Sequence, residues 1–550
     1  MHLYADLLIT NGRVYTADAR TPWAEAVAVR GDRFLAVGTA SDLAELRGPR
    51  TEVIDLAGRL LLPGFTESHV HFIELALRAT EIDVTAAASA HAVAKMVRAR
   101  VTAQADRPSA WIRGAGWHAS TWTDGVRPHR ALLDAVAPDV PVALDSKDLH
   151  SIWLNSAALR RAGITAATAD VPGGVIERDT DGEPTGVLRE NAVGLAYKAI
   201  PKPELAETVT AVKAAIPGMW GTGIVALHNA NDSADGLALR TYQALRKQDD
   251  LGLRVVQHLP ACNLDHARAI GLQSGLGDAW LRIGGVKFFA DGALGSRTAH
   301  MLQPFLDNSN NWGVAAIDPE ELLERALVAS ATGLSLTIHA IGDRANRDVL
   351  NVLAEVQRQE ANGASAHQRM ANDKSATRHR IEHVQCIHPD DLPRLAELDV
   401  IASVQPIHAT SDMHMVDHFW GDERAKGAYA FRSLLDSGAK LVFGSDGPIE
   451  PHAPLIGIHA AVTRRRADGS PGPDGWQGQE RITVREAIDA YTIWPAYAAG
   501  EEDYRGSIVS GKVADLVVLS EDIFTIEPMS IAEARVEMTV IDGQVVWQKD

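Results

Sequence analysis

Six residues with metal-binding chemistry stand at the downstream ends of apolar, β-branched runs. His69 and His71 close LLLPGFTESHVHF (60–72), Lys287 lies in LRIGGVKFFADG (281–292), and His339 lies in LSLTIHAIGDRA (334–345). His383 falls in RIEHVQ (380–385) and Asp446 in KLVFGSDGP (440–448). Imidazole nitrogen suits zinc and similar borderline divalent ions. A carboxylate can hold such an ion through one oxygen and take a proton from water through the other. Residues i and i+2 of a strand point the same way, so both rings of His69-x-His71 can face one ion. With 21 histidines in 550 residues, about one such pair arises by chance, and a hydrogen-bonded pair at a strand end is the plain alternative. Lys287 is an ammonium in an apolar run, costly to bury unless paired or deprotonated. Asp291 is its default partner; a neutral lysine could instead take up CO₂ as a carbamate able to bridge two cations.

Position gives the set its weight. In an α/β barrel the downstream strand ends converge on one mouth, where residues distant in sequence can meet. His69, His71, Lys287, His339, His383 and Asp446 are therefore the candidate ligands of one or two divalent ions. Zinc is the default from donor type, with Mn²⁺, Fe²⁺ or Co²⁺ also compatible. Asp446, His383 and His339 are the candidate catalytic residues.

The elements that must position them follow from the sequence rhythm. From Gly221 onward strand-like runs alternate with amphipathic stretches: 223–229, 253–259, 284–290, 334–340, 379–385, 400–406 and 440–446. With LLLPGFTESH first, that makes eight strands, and such alternation implies a parallel sheet closing as a distorted TIM (β/α)₈ barrel. The first sixty and last fifty residues read instead as short strands broken by NG, GD and AG turns. Residues 1–60 and 500–550 should then pair as a composite antiparallel β-sandwich, with the barrel formed by 61–84 and 216–499. Residues 85–215 read as an α+β insertion over the barrel mouth; 361–379 and 464–480 read as surface loops.

Composition is globular, with 46% hydrophobic and 23% charged residues. A formal charge of −18 argues against nucleic acid or an anionic membrane as partner. Two cysteines, Cys262 and Cys386, are too few for a disulfide framework. The opening residues lack a basic, then apolar, signal pattern, and no apolar run approaches a membrane span. A cytoplasmic setting is expected, with a small-molecule substrate. A homodimer is the commonest assembly for such a chain.

The segments PGFTESHVH, VKFFADGALGSRTA, HAIGDRAN, RIEHVQ, SVQPIHATSD, FGSDGPIEP and GSIVSGKVADLVVL together resemble the amidohydrolase superfamily, and within it amidohydrolase family 3. The resemblance covers nearly the whole chain. It implies a metal centre that activates water to cleave a non-peptide C–N bond, an N-formyl or N-acyl amide among the options. It also implies that His69, His71 and Asp446 hold the more buried ion, that His339 and His383 hold the second, and that carboxylated Lys287 bridges them. Related chains often carry a second histidine where this one has Ile341, a difference outside the ligand set. Fold and ligands do not fix the reaction. A cyclic amide, a lactone or ester, deamination and decarboxylation stay open, whereas a non-catalytic barrel would have no reason to keep six ligands. Candidate substrate contacts are Asp291, Arg297, Trp117, His150 and His408. His118 and Trp153 could line a pocket with them, and Asp343 could orient His339 or a loop. Salt bridging for Arg297 and core packing for the tryptophans are the ordinary alternatives.

Overall fold

A computed structural model describes every residue except 1–3, 105–109, 120, 121, 123, 124, 147–150, 172, 173, 231, 363–377 and 550. Eight parallel strands form the central sheet: β1 (Phe65–Val70), β2 (Ile224–Asn229), β3 (Arg254–Pro260), β4 (Leu281–Phe289), β5 (Leu336–Ala340), β6 (Arg380–His383), β7 (Ile401–Val404) and β8 (Leu441–Phe443). They lie side by side in sequence order. A parallel bridge between Val70 and Gly447 draws the first and last strands together, so the sheet nearly closes as a TIM barrel. Two hydrogen bonds make that seam, from His71 N to Gly447 O and from Asp446 N to His69 O, each 2.8 Å. The seam thus sets the His-x-His segment directly against Asp446.

Helices cover the sheet for the usual amphipathic reason. Helix Asp343–Ala361 buries Ala345, Val349, Leu353 and Val356, a three-to-four-residue stripe. Helix Pro319–Thr332 starts on an Asp318 cap with proline at its first position and stops at Gly333 in the left-handed region.

The termini build a two-sheet sandwich. One sheet runs Arg33–Gly38, Ala26–Arg30, Leu7–Thr10, Glu52–Asp55; the other runs Gln544–Gln548, Val536–Ile541, Leu516–Leu519, Leu60–Pro63, Arg13–Tyr15, Trp23–Ala24. Ile9, Val27, Phe34, Leu61, Leu516 and Val540 interlock between them. Two pairings depart from the antiparallel expectation: Leu7–Thr10 with Glu52–Asp55, and Arg13–Tyr15 with Leu60–Pro63, are parallel.

The segment read as one long first barrel strand is two strands in two sheets. Leu60–Pro63 pairs with Leu516–Leu519, whereas β1 pairs with β2. Gly64 makes the handover, because a Cβ there would lie 2.6 Å from the Val225 methyls. Unbroken hydrophobicity hid the break, since both pieces are buried on both faces.

Residues Ile73–Val212 form a separate compact unit. Its six-stranded sheet runs Gly174–Arg178, Pro184–Glu190, Ser151–Leu154, Val142–Ser146, Ile112–Trp117, Ile82–Asp83. Trp117, Trp122 and Trp153 pack together in one of its cores.

Candidate metal centre

The seam and the ends of β5 and β6 bring five of the six proposed ligands together. One donor atom each of His69, His383 and Asp446 lies within 4.8 Å of the others. Nε2 of His69 and of His71 stand 3.3 and 3.1 Å from Asp446 Oδ1. The His339 and His383 rings are 4.5 Å apart, and His69 is 4.8 Å from His383. Lys287 is buried beside them, its Nζ 4.8 Å from the Phe289 ring centroid. Burial pulls its pKa down, which favours the free amine, while Glu382 and Asp446 pull the other way.

The hydrogen bonds on the far sides of the rings decide which nitrogen faces the centre. His69 Nδ1 meets the Glu382 carboxylate, His383 Nδ1 meets Gln405 Oε1 at 2.9 Å, and His339 Nε2 meets Gly292 O at 2.9 Å. A carboxylate and a backbone carbonyl can only accept here, and the Gln405 oxygen accepts likewise. His339 and His383 therefore carry their proton on the outer nitrogen and turn an open lone pair inward, the usual arrangement behind metal-bound imidazole. Burial lowers the pKa of His69 but Glu382 and Asp446 raise it further, so its inner nitrogen opens once a cation takes the place of the proton there. Burial keeps His339 neutral, with a pKa near 3, and does the same for His383. His69 Nε2 and Asp446 Oδ1 are buried without a hydrogen-bond partner. Burial raises the Asp446 pKa, but the His69 and His71 imidazoles more than offset this and hold the carboxyl well below its usual range. Ring nitrogens turned inward and an ionised carboxylate, gathered in a largely buried site, are a donor set that fits a divalent cation.

Strand alternation alone would send Glu382 and His383 to opposite faces. Both nonetheless reach His69, and the backbone shows how: His383 has φ 77° and Val384 φ 43°, left-handed values that re-aim the histidine. Such strain in non-glycine residues gathers at functional sites. Asp446 is a second case, at φ 59°.

The softer candidates fare differently. His408 is buried near the centre, its ring parallel to His383 at 6.4 Å, and its Nε2 lacks a partner. Asp291 is buried with its carboxylate taking the N–H groups of His300, Ile341 and Gly342, so it ties loops together beside His339. Arg297 is exposed and bonds Asp307 at 2.6 Å, the ordinary ion pair. Asp343 accepts from Leu302 N at 2.7 Å and holds a loop, not His339. Trp117 donates to Leu144 O within the separate unit's core, and Trp153 is core as well. His150 lies outside the described residues.

Sequence reasoning passed over Glu67, Arg380, Glu382 and Gln405. Glu67 is fully buried, accepts from His69 N and Ser445 N, and is pushed by burial to a pKa of about 8. Arg380 bonds Glu382, His228 Nδ1, Ser68 O and Ser403 Oγ. A signal was present: RIEH places Arg and Glu two apart in a strand whose neighbours are apolar, so both charges must enter the core and need partners there.

Known proteins are similar to this chain over nearly its whole length. Protein LONG AFTER FAR-RED 3 of Arabidopsis thaliana is 34% identical, over 99% of this chain and 92% of its own length. The N-substituted formamide deformylase of Arthrobacter pascens is 29% identical, over 99% of this chain and 98% of its own. The crystal structure of an uncharacterised metal-dependent hydrolase from Pyrococcus furiosus superposes with a TM-score of 0.76 at 28% identity, covering 94% of this chain and all of that one. The amidohydrolase family pattern matches residues 52–547, and the chain belongs to that family.

Proposed function

We propose that this protein is a metal-dependent hydrolase cleaving a non-peptide C–N bond of a small molecule, an N-formyl or N-acyl amide. The observation that carries the reading is that His69 and His383 turn their inner ring nitrogens toward ionised Asp446 within 4.8 Å, with the His339 ring 4.5 Å from that of His383. His69, His71 and Asp446 would hold one ion, and His339 and His383 a second, with Lys287 as a carbamate a further ligand; zinc is the ion the donors suit best. A divalent ion held there would supply Lewis acidity, which lowers the pKa of bound water from about 15.7 toward about 7. Asp446 takes the proton of the attacking water and passes it to the leaving nitrogen. Buried His408, beside His383, would offer its Nε2 to the substrate carbonyl. The formamide deformylase relative supports the choice of an amide.

The test is a chelated sample reloaded with one metal at a time and offered linear amides, cyclic ureides and lactones side by side. Zinc-restored hydrolysis of linear N-formyl or N-acyl amides is expected. A preference for lactones or ureides would replace the amide reading, and metal-independent turnover would end the proposal.

A further inference from the structure

The three inward-facing imidazoles are not backed alike. His383 leans on the neutral amide of Gln405, and His339 on the neutral carbonyl of Gly292. The nearest carboxylate to His339, Asp291 Oδ1, stands off at 3.5 Å and already accepts from Ile341 N. His69 leans on a full negative charge, Glu382.

Glu382 is itself held on every side. Its Oε1 accepts from Arg380 Nε at 2.5 Å, and its Oε2 takes both His69 and Arg380 Nη2, the latter at 3.2 Å. Arg380 in turn spans Ser68 O at 2.7 Å, Ser403 Oγ at 2.5 Å and His228 Nδ1 at 3.0 Å. The frame therefore crosses from β6 to β1, β2 and β7. Every member is buried: Glu382 is 0% exposed and Arg380 3%. A buried ion pair of this kind is weak evidence for stability, because apolar residues of similar volume often serve as well or better. Its geometric consequence is plain: His69 can only present Nε2, and it presents it with a carboxylate pushing electron density through the ring.

Resting on the hydrolase reading above, we infer that the Arg380–Glu382 pair is a positioning device that ranks the two halves of the metal centre, making the ion held through His69 the tighter one. Glu382→Gln leaves the same oxygen in place but removes the charge, giving His69 the neutral amide that His383 already has. Gln405→Glu does the reverse for His383.

The experiment is a titration of Zn²⁺ into chelated protein against a competing chromogenic chelator, with far-UV circular dichroism to check the fold. For the natural chain we expect a tight step followed by a weaker one. Glu382→Gln should raise the tight-step Kd about 10- to 100-fold and move the weaker step little. Gln405→Glu should tighten the weaker step. A folded Glu382→Gln protein with an unchanged first step overturns the inference. Should that variant fail to fold, Gln405→Glu decides: a second step no tighter than in the natural chain overturns it equally. A natural chain that binds no zinc at all would instead overturn the functional reading.

Discussion

Two buried polar clusters in the same compact unit differ in one respect that separates structure from chemistry. Where β3 meets the sandwich, Arg254 bonds Asp515 through Nε at 2.6 Å and Nη2 at 2.9 Å, reaches Asp542 as well, and donates to Ala279 O. Asp542 N closes the loop on Asp515 Oδ1 at 3.0 Å. That cluster satisfies itself. At the barrel mouth His69, His339 and His383 are bonded through their outer nitrogens, yet His69 Nε2 and Asp446 Oδ1 are buried with no hydrogen-bond partner. Buried polar atoms are nearly always paired, so a cluster that closes on its outside and stays open on its inside is built around something else.

That contrast can be broken. The largest effect should come from Asp446→Asn, which keeps the shape and removes the proton acceptor. We expect kcat to fall about 10³-fold with the melting temperature little changed, measured on a linear amide after zinc reloading. A mild loss would move the base elsewhere.

Arg254→Met should behave in the opposite way. It leaves the buried Asp515 carboxylate, with Asp542, without a counter-charge and should cost about 3–5 kcal/mol of stability in urea unfolding. The kcat of the folded fraction should stay the same. If activity fell in proportion to lost ion pairing, the two clusters would not be separate in role.

A smaller effect sharpens the picture of the closed contacts. Tyr15 of the sandwich donates to Asp489 Oδ1 at 2.7 Å on helix Val484–Tyr491, and burial lifts the Asp489 pKa from 3.8 to about 6. The folded protein then holds a proton that the unfolded chain releases between about pH 4 and 6, so stability should fall as pH rises through that window. Asp489→Asn should flatten this slope in thermal melts from pH 4 to 7; an unchanged slope would place the titration on another group.

Much of this was readable before any coordinates. Period-two and longer hydrophobic rhythms placed the eight barrel strands, because a parallel sheet buried on both faces writes itself as apolar runs. His69, His71, His339, His383 and Asp446 stood out because polar residues at the ends of such runs have few structural excuses. The rest needed the folded chain. Glu382 and Arg380 share a strand with His383, and nothing local says that Glu382 meets a histidine 313 residues away. The left-handed φ of His383 and the handover at Gly64 are also silent in the sequence, since both are set by neighbours on other strands.

Sequence alone, then, determined which chemical groups this protein owns and which strand ends carry them, since residue type and hydrophobic period are local properties. Tertiary structure alone decided which nitrogen of each ring turns inward, which side chain stands behind it, and which of the candidate contacts are spent on holding loops. Those are matters of what lies within about 3 Å, and barrel closure chooses those neighbours from every part of the chain.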